Sequence, residues 1–213
     1  PFMRLLDLSH PITKGMPVYP GTPAVEVEPL ATMESNGFRE TRLTLSSHTG
    51  THVDAPSHMV AMGKRLDDCG PESFTGFARC LKVDTAGVTV SLLEKELSGT
   101  PDCDFILFQT GWDQYWGGED YFRGYPVIDA AAAAWLGRRG LKGIGLDTPS
   151  PDPMDSTDYP AHMALMKAGM LILENLKGLD GLPAGAFRLV ALPLPISNSD
   201  GAPARVIALL DFE

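Results

Sequence analysis

Residues 46–59 read Ser-Ser-His-Thr-Gly-Thr-His-Val-Asp-Ala-Pro-Ser-His-Met, and no other stretch of the chain concentrates metal-ligand residues so densely. Three of the five histidines, His48, His52 and His58, fall with Asp54 inside eleven residues, at spacings of four, two and four. Imidazole and carboxylate together suit zinc, manganese or iron. His48 and His52 can face one ion on a helix or across a turn, and Asp54 adds an oxygen donor able to bridge to a second. His58 is open to two readings, a further ligand or a general base beside a metal-bound water. Zinc lowers the pKa of bound water from 15.7 to about 7 in favourable sites, and a histidine titrating near neutrality suits the transfer of that proton to a leaving amine. Gly50 permits a tight turn between ligands, while Pro56 stiffens the exit and argues against one continuous helix.

Such a loop needs rigid elements on both sides. Residues 4–8 form a short apolar run, a first strand. Residues 15–23 hold Pro17, Pro20 and Pro23 and read as an ordered extended loop. Val25, Val27 and Pro29 alternate with Glu26 and Glu28, a strand with one wet face. Residues 38–45 alternate too, with Thr41, Leu43 and Leu45 on one face, and deliver the chain to His48. Residues 80–83, 105–109 and 143–147 read as buried strands, and 91–97 and 128–138 as helices, the second helped by its alanine run and by Asp129 in its first turn. Residues 162–168 form a short helix, 169–173 a strand ending at Glu174, and 187–193 and 204–210 complete a strand-rich C-terminal part. Strands and helices alternate only in the middle. The expectation is an α/β fold, one domain over residues 3–213, with a mixed β-sheet core and flanking helices.

The pattern His-x-Gly-Thr-His-x-Asp-x-Pro-x-His, here His48 to His58, resembles the signature of the cyclase-type metal-dependent hydrolases, a family that includes bacterial kynurenine formamidase and isatin hydrolase. The resemblance extends in order through Asp7-Leu8-Ser9-His10-Pro11, Val18-Tyr19-Pro20-Gly21, Gly145-Leu146-Asp147-Thr148-Pro149-Ser150, Ala161-His162 and Ala191-Leu192-Pro193-Leu194. It implies that His48, His52 and Asp54 bind a first metal, that His162 and Glu174 complete a second, with Asp54 and Glu174 bridging, and that His58 is the general acid/base. Taken alone, His162 would read as a surface helix histidine and Glu174 as a strand-end carboxylate turned to solvent. His10 is expected to be structural, hydrogen-bonded near the site. Tyr19 stands where kynurenine formamidases usually carry tryptophan, and Glu174 where isatin hydrolase carries glutamine. Tyr19 and Trp112 are the candidate substrate-binding aromatics.

The expected activity is therefore hydrolysis of an amide, formamide or cyclic amide, with metal-bound hydroxide as nucleophile, His58 as acid/base, and zinc or manganese, one or two per chain, as cofactor. N-formylkynurenine is one candidate substrate. The alternatives are a silent metal-dependent binding protein, which has no need of a proton shuttle at His58, and a metal-dependent lyase. A formal charge of −10, from 17 basic and 27 acidic residues, disfavours nucleic acid and anionic membrane as partners. Cys69, Cys80 and Cys103 are odd in number and too widely spaced for a CxxC pair, so they read as thiols of a reducing compartment. With no signal-peptide pattern and no apolar run of about eighteen residues, the expected address is the cytoplasm. By the family resemblance, a homodimer or homotetramer is expected. The chain lacks a Gly-x-Ser-x-Gly elbow, a His-Glu-x-x-His helix and a Walker loop.

Overall fold

The computed structural model describes residues 3–211 apart from 85 and 99–102, so the last two residues of the expected domain lie outside the described residues. Its strands are β1 (Met3–Asp7), β2 (Glu26–Ala31), β3 (Glu40–Thr44), β4 (His52–Asp54), β5 (Thr75–Lys82), β6 (Phe105–Gln109), β7 (Gly143–Leu146), β8 (Leu171–Glu174), β9 (Phe187–Pro193) and β10 (Gly201–Asp211). Its helices are α1 (Met33–Asn36), α2 (Val90–Leu97), α3 (Ala130–Gly137) and α4 (Pro160–Lys167).

Eight strands form one mixed sheet in the order β1-β10-β4-β8-β7-β6-β5-β9, and β9 also pairs with β10, so the sheet closes into a barrel-like core. The neighbours β5–β6, β6–β7 and β7–β8 are parallel and the other pairs antiparallel. The central parallel strands β6, β7 and β8 are nearly continuous apolar runs, as burial on both faces demands, whereas β5, next to the antiparallel β9, mixes polar and apolar residues. Phe105–Gln109 sends Phe105 and Leu107 into one core with Val53, Leu173 and Ala202. Ile106 and Phe108 enter a second core, beneath the helices, with Leu93, Ala132, Leu136 and Leu165. The helices α2, α3 and α4 therefore cover the outer face of the sheet rather than standing as independent units.

Two expectations need correction. Asp129 is not in the first turn of α3 but caps it, its carboxylate accepting the Ala132 N–H at 2.6 Å. The alternation leading to His48 does not mark a half-buried strand. β2 and β3 pair only with each other, every residue of β3 is exposed, and Leu43 is 54% accessible. Among the described residues β3 has no buried position, so its period-two pattern marks no core face.

Candidate metal centre

β4 is three residues long, and its pleat decides everything at the site. Val53 points into the barrel core, so His52 and Asp54 share the opposite face. The antiparallel register with β8 sets His52 directly across from Glu174. The loop before β4 brings in His48, turning at Gly50 with φ 62°, where a non-glycine residue would be strained. Across the strand, Gly201 makes room for the His48 ring, since a Cβ there would sit 2.7 Å from His48 Cε1. His162 arrives on α4, one residue after Ala161 and two after Pro160. Backbone strain gathers here as well. Asn175 (φ 55°), next to Glu174, and Tyr159 (φ 45°), at the head of α4, both occupy the left-handed region. Asn175 is held there by its Nδ2–H donated to the Gly50 carbonyl and by the Tyr121 hydroxyl donated to its Oδ1.

The structure brings His48, His52, Asp54, His58, His162 and Glu174 to the wall of one cavity of about 300 Å³. His52, Asp54, His162 and Glu174 are buried, so neither the surface histidine nor the solvent-facing carboxylate reading holds. His52 Nδ1 lies 2.8 Å from the Gly50 carbonyl, which can only accept, so Nδ1 carries the hydrogen and Nε2 keeps its lone pair. That buried Nε2 has no hydrogen-bond partner, yet lies 3.0 Å from Asp54 Oδ1 and 3.5 Å from Glu174 Oε2. Asp152 performs the same service for His162. Its carboxylate accepts the Ala161 and His162 backbone N–H groups and His162 Nδ1–H at 2.7 Å, turning Nε2 toward Glu174 Oε1 (3.4 Å) and Asp54 Oδ2 (3.8 Å). Glu174 Oε1 is also buried without a hydrogen-bond partner. Lone pairs aimed at a shared point, with the other ring nitrogens anchored behind, are what a divalent cation requires. Donor atoms of His48, His52 and Asp54 lie within 4.8 Å of one another, as do those of Asp54, His58 and His162, with Asp54 common to both groups. The residues present fit a divalent metal.

The electrostatics of the bare side chains agree. Burial works against a charged His48, but Asp54 and Asp200 outweigh it and raise its pKa to about 9. His52 is raised against its own burial by Asp54 and Glu174, and His162 well above its usual value by Asp152, Asp54 and Glu174. Asp54 stays far below the carboxylate range despite burial, because His48 and His52 face it. The carboxylates thus favour positive charge at this point.

The rim is aromatic. Tyr19 lines the cavity and meets Phe122 edge-on at 6.3 Å, with Tyr159 and Trp116 on other parts of the wall. Trp112 is not on that wall. Its indole N–H is donated to the Tyr121 carbonyl and its ring packs on Tyr115, so the tryptophan facing the cavity is Trp116. His10 also differs from expectation. Its ring makes no hydrogen bond through the buried Nε2 and instead stacks on Trp116 at 3.9 Å and 11°. Sequence reasoning missed Asp152, Asn175 and Asp200. Asp152 had a faint signal, two residues beyond the Gly145–Ser150 motif, whereas Asp200 sits in an ordinary polar turn before β10.

Known proteins resemble this chain along most of its length. A family model, Cyclase, described as "Putative cyclase", matches residues 6–153. The kynurenine formamidase of Erythrobacter litoralis is 36% identical over 205 residues, covering 96% of this chain and 93% of that protein. The kynurenine formamidase of Bacillus cereus is 34% identical over 205 residues, covering 95% of each. Among solved structures, isatin hydrolase A from Labrenzia aggregata, bound to benzyl benzoate, superposes with a TM-score of 0.88 at 28% identity, covering 98% of this chain and 94% of that one. With a family model across most of its length and relatives above 30% identity end to end, the chain belongs to the cyclase family.

Proposed function

We propose that the protein is a metal-dependent hydrolase of amide bonds, with aryl formamides and cyclic aryl amides as its substrate class. The carrying observation is the pair of buried, unpartnered donors, His52 Nε2 and Glu174 Oε1, converging beside Asp54 under an aromatic-walled cavity. His48, His52 and Asp54 would hold one zinc or manganese ion, and His162 and Glu174, with Asp54 shared, a second. Bound there, the metal supplies Lewis acidity toward the amide carbonyl and makes water nucleophilic near neutral pH. His58, at the same wall, would take the proton from the attacking water and return it to the leaving nitrogen. Tyr19, Phe122 and Trp116 offer ring faces and edges to a planar substrate. Among the described residues no lysine or arginine lines the cavity, which favours an uncharged aryl amide over an anionic one.

The relatives' names make N-formylkynurenine and isatin the first substrates to try. Elemental analysis of the purified protein, paired with hydrolysis of these two and of formanilide, tests the reading. One to two zinc or manganese ions per chain with turnover of any of the three supports it. No metal after reconstitution overturns it. The exposed Leu30, Met33, Phe38 and Leu43 around the β2–β3 hairpin favour a contact between copies, hence a homodimer or homotetramer. Among the described residues no helix is long and apolar enough to cross a membrane. Cys69 and Cys80, which form no disulfide, fit a cytoplasmic setting.

A further inference from the structure

The proposed hydrolase needs two imidazoles with opposite duties: His48 must offer a lone pair to a metal, and His58 must carry a proton to and from the substrate. Both lean on one carboxylate oxygen. Asp200 Oδ2 lies 2.9 Å from His48 Nε2 and 3.1 Å from His58 Nδ1, while the rings themselves are 4.0 Å apart and tilted by 42°. An ionised carboxylate only accepts, so both of these nitrogens carry hydrogen. In a neutral His58 ring this leaves Nε2 with the lone pair. His48 Nδ1 lies 2.6 Å from Asp54 Oδ1, so the bare ring is held between two carboxylates with both nitrogens protonated. The nitrogen that gives up its proton to a metal on the Asp54 side is Nδ1, while Asp200 keeps the hydrogen on Nε2.

We propose that Asp200 is a positioning residue that fixes both rings at once, selecting the metal-binding nitrogen of His48 and the proton-carrying nitrogen of His58. The inference rests on the hydrolase reading and adds to it the group that makes the two histidines act as a unit. The fold holds Asp200 in place independently of its side chain. Its carbonyl accepts the Ala55 N–H at 2.9 Å, and the next residue, Gly201, pairs with Asp54 at the start of β10. The glycine leaves the space that the His48 ring occupies. The carboxylate is 43% exposed, so its removal leaves no buried void and the variants should fold.

The test is imidazole ¹⁵N NMR on the zinc-loaded and chelated protein, with zinc titration and steady-state kinetics on the best amide substrate, for wild type, Asp200→Ala and Asp200→Asn. In wild type His58 should be the Nδ1–H tautomer. In Asp200→Ala it should drift to the Nε2–H form favoured by free imidazole. Zinc affinity should fall about 10-fold, and kcat at saturating zinc about 10–100-fold, with KM within about twofold. Asp200→Asn keeps one acceptor oxygen and should recover part of both losses. A wild-type His58 in the Nε2–H form, or a tautomer and kcat unmoved in Asp200→Ala, overturns the proposal. Absence of turnover on every amide would sink the hydrolase reading instead, and the tautomer and zinc affinity would still decide the role of Asp200.

Discussion

His58 differs from His52 of the same motif in what holds it. His52 is anchored by a backbone carbonyl and buried among carboxylates, whereas His58 is half-buried and its Nδ1 rests on Asp200. His58→Ala should therefore keep its metal while kcat falls by about 10²–10⁴-fold, the usual contribution of a positioned acid/base. Elemental analysis and steady-state kinetics check this, and equal loss of metal would move His58 into the ligand set. Asp152 makes a complementary case. It is 0% exposed and accepts three N–H groups, two from the head of α4 and one from His162. In Asp152→Asn an amide N–H₂ replaces one acceptor, so the His162 tautomer loses its support. Metal affinity should drop about 10–100-fold by zinc titration, with a stability loss of about 1–3 kcal/mol by urea unfolding. The contrast shows what was legible at this scale. His48, His52, Asp54 and His58 lie within one turn-rich segment whose spacing announces a site. Asp200 is 142 residues from His58, and only the β10–β4 pairing makes them neighbours.

Elements with one dominant period were readable, and those defined by what they pack against were not. β6 and β9 coincide with the expected 105–109 and 187–193, because an apolar run bounded by turns has few other folds. β3 has the alternation of a half-buried strand but no buried position, and β4 is too short to carry any period at all. Trp112 and Trp116 are four residues apart on the same 3₁₀ turn and its exit, so composition could not say which one meets the cavity. The stack of Trp116 on His10 has a consequence for pH. Burial, and then repulsion by Lys177, lowers the His10 pKa to about 4. Between pH 4 and about 6.5 the unfolded chain binds a proton here that the folded chain refuses. The His10 contribution is thus intact above 6.5 and lost as pH falls toward 4. His10→Phe keeps a flat ring against Trp116 without the titration. Its urea midpoint should fall less than wild type's between pH 7 and 4.5, and parallel curves would exclude His10 as a source of acid sensitivity.

Across the whole molecule the site is a junction. Its donors come from the loop before β4, from β4 itself, from β8 and from α4, so one ion would tie the barrel wall to the helical layer that covers it. The family motif accounts for only the first two of these segments, and the others reach it through closure of the sheet and docking of α4. Ligand binding to the native state alone stabilises by mass action, about 2.7 kcal/mol at a free ion concentration 100 times Kd. For a chain of this size that corresponds to a rise in Tm of roughly 5–10 °C. Chelation should lower Tm by that amount and readdition of zinc or manganese should restore it, read by differential scanning fluorimetry. His52→Ala, which removes the buried ligand nitrogen of the first position, should show a smaller Tm difference between chelated and metal-loaded protein than wild type. A wild-type Tm indifferent to chelator, in protein shown by elemental analysis to have lost its ion, would mean that the donors are already satisfied by each other. The junction would then be structural in its own right, and the hydrolase reading would lose its physical basis.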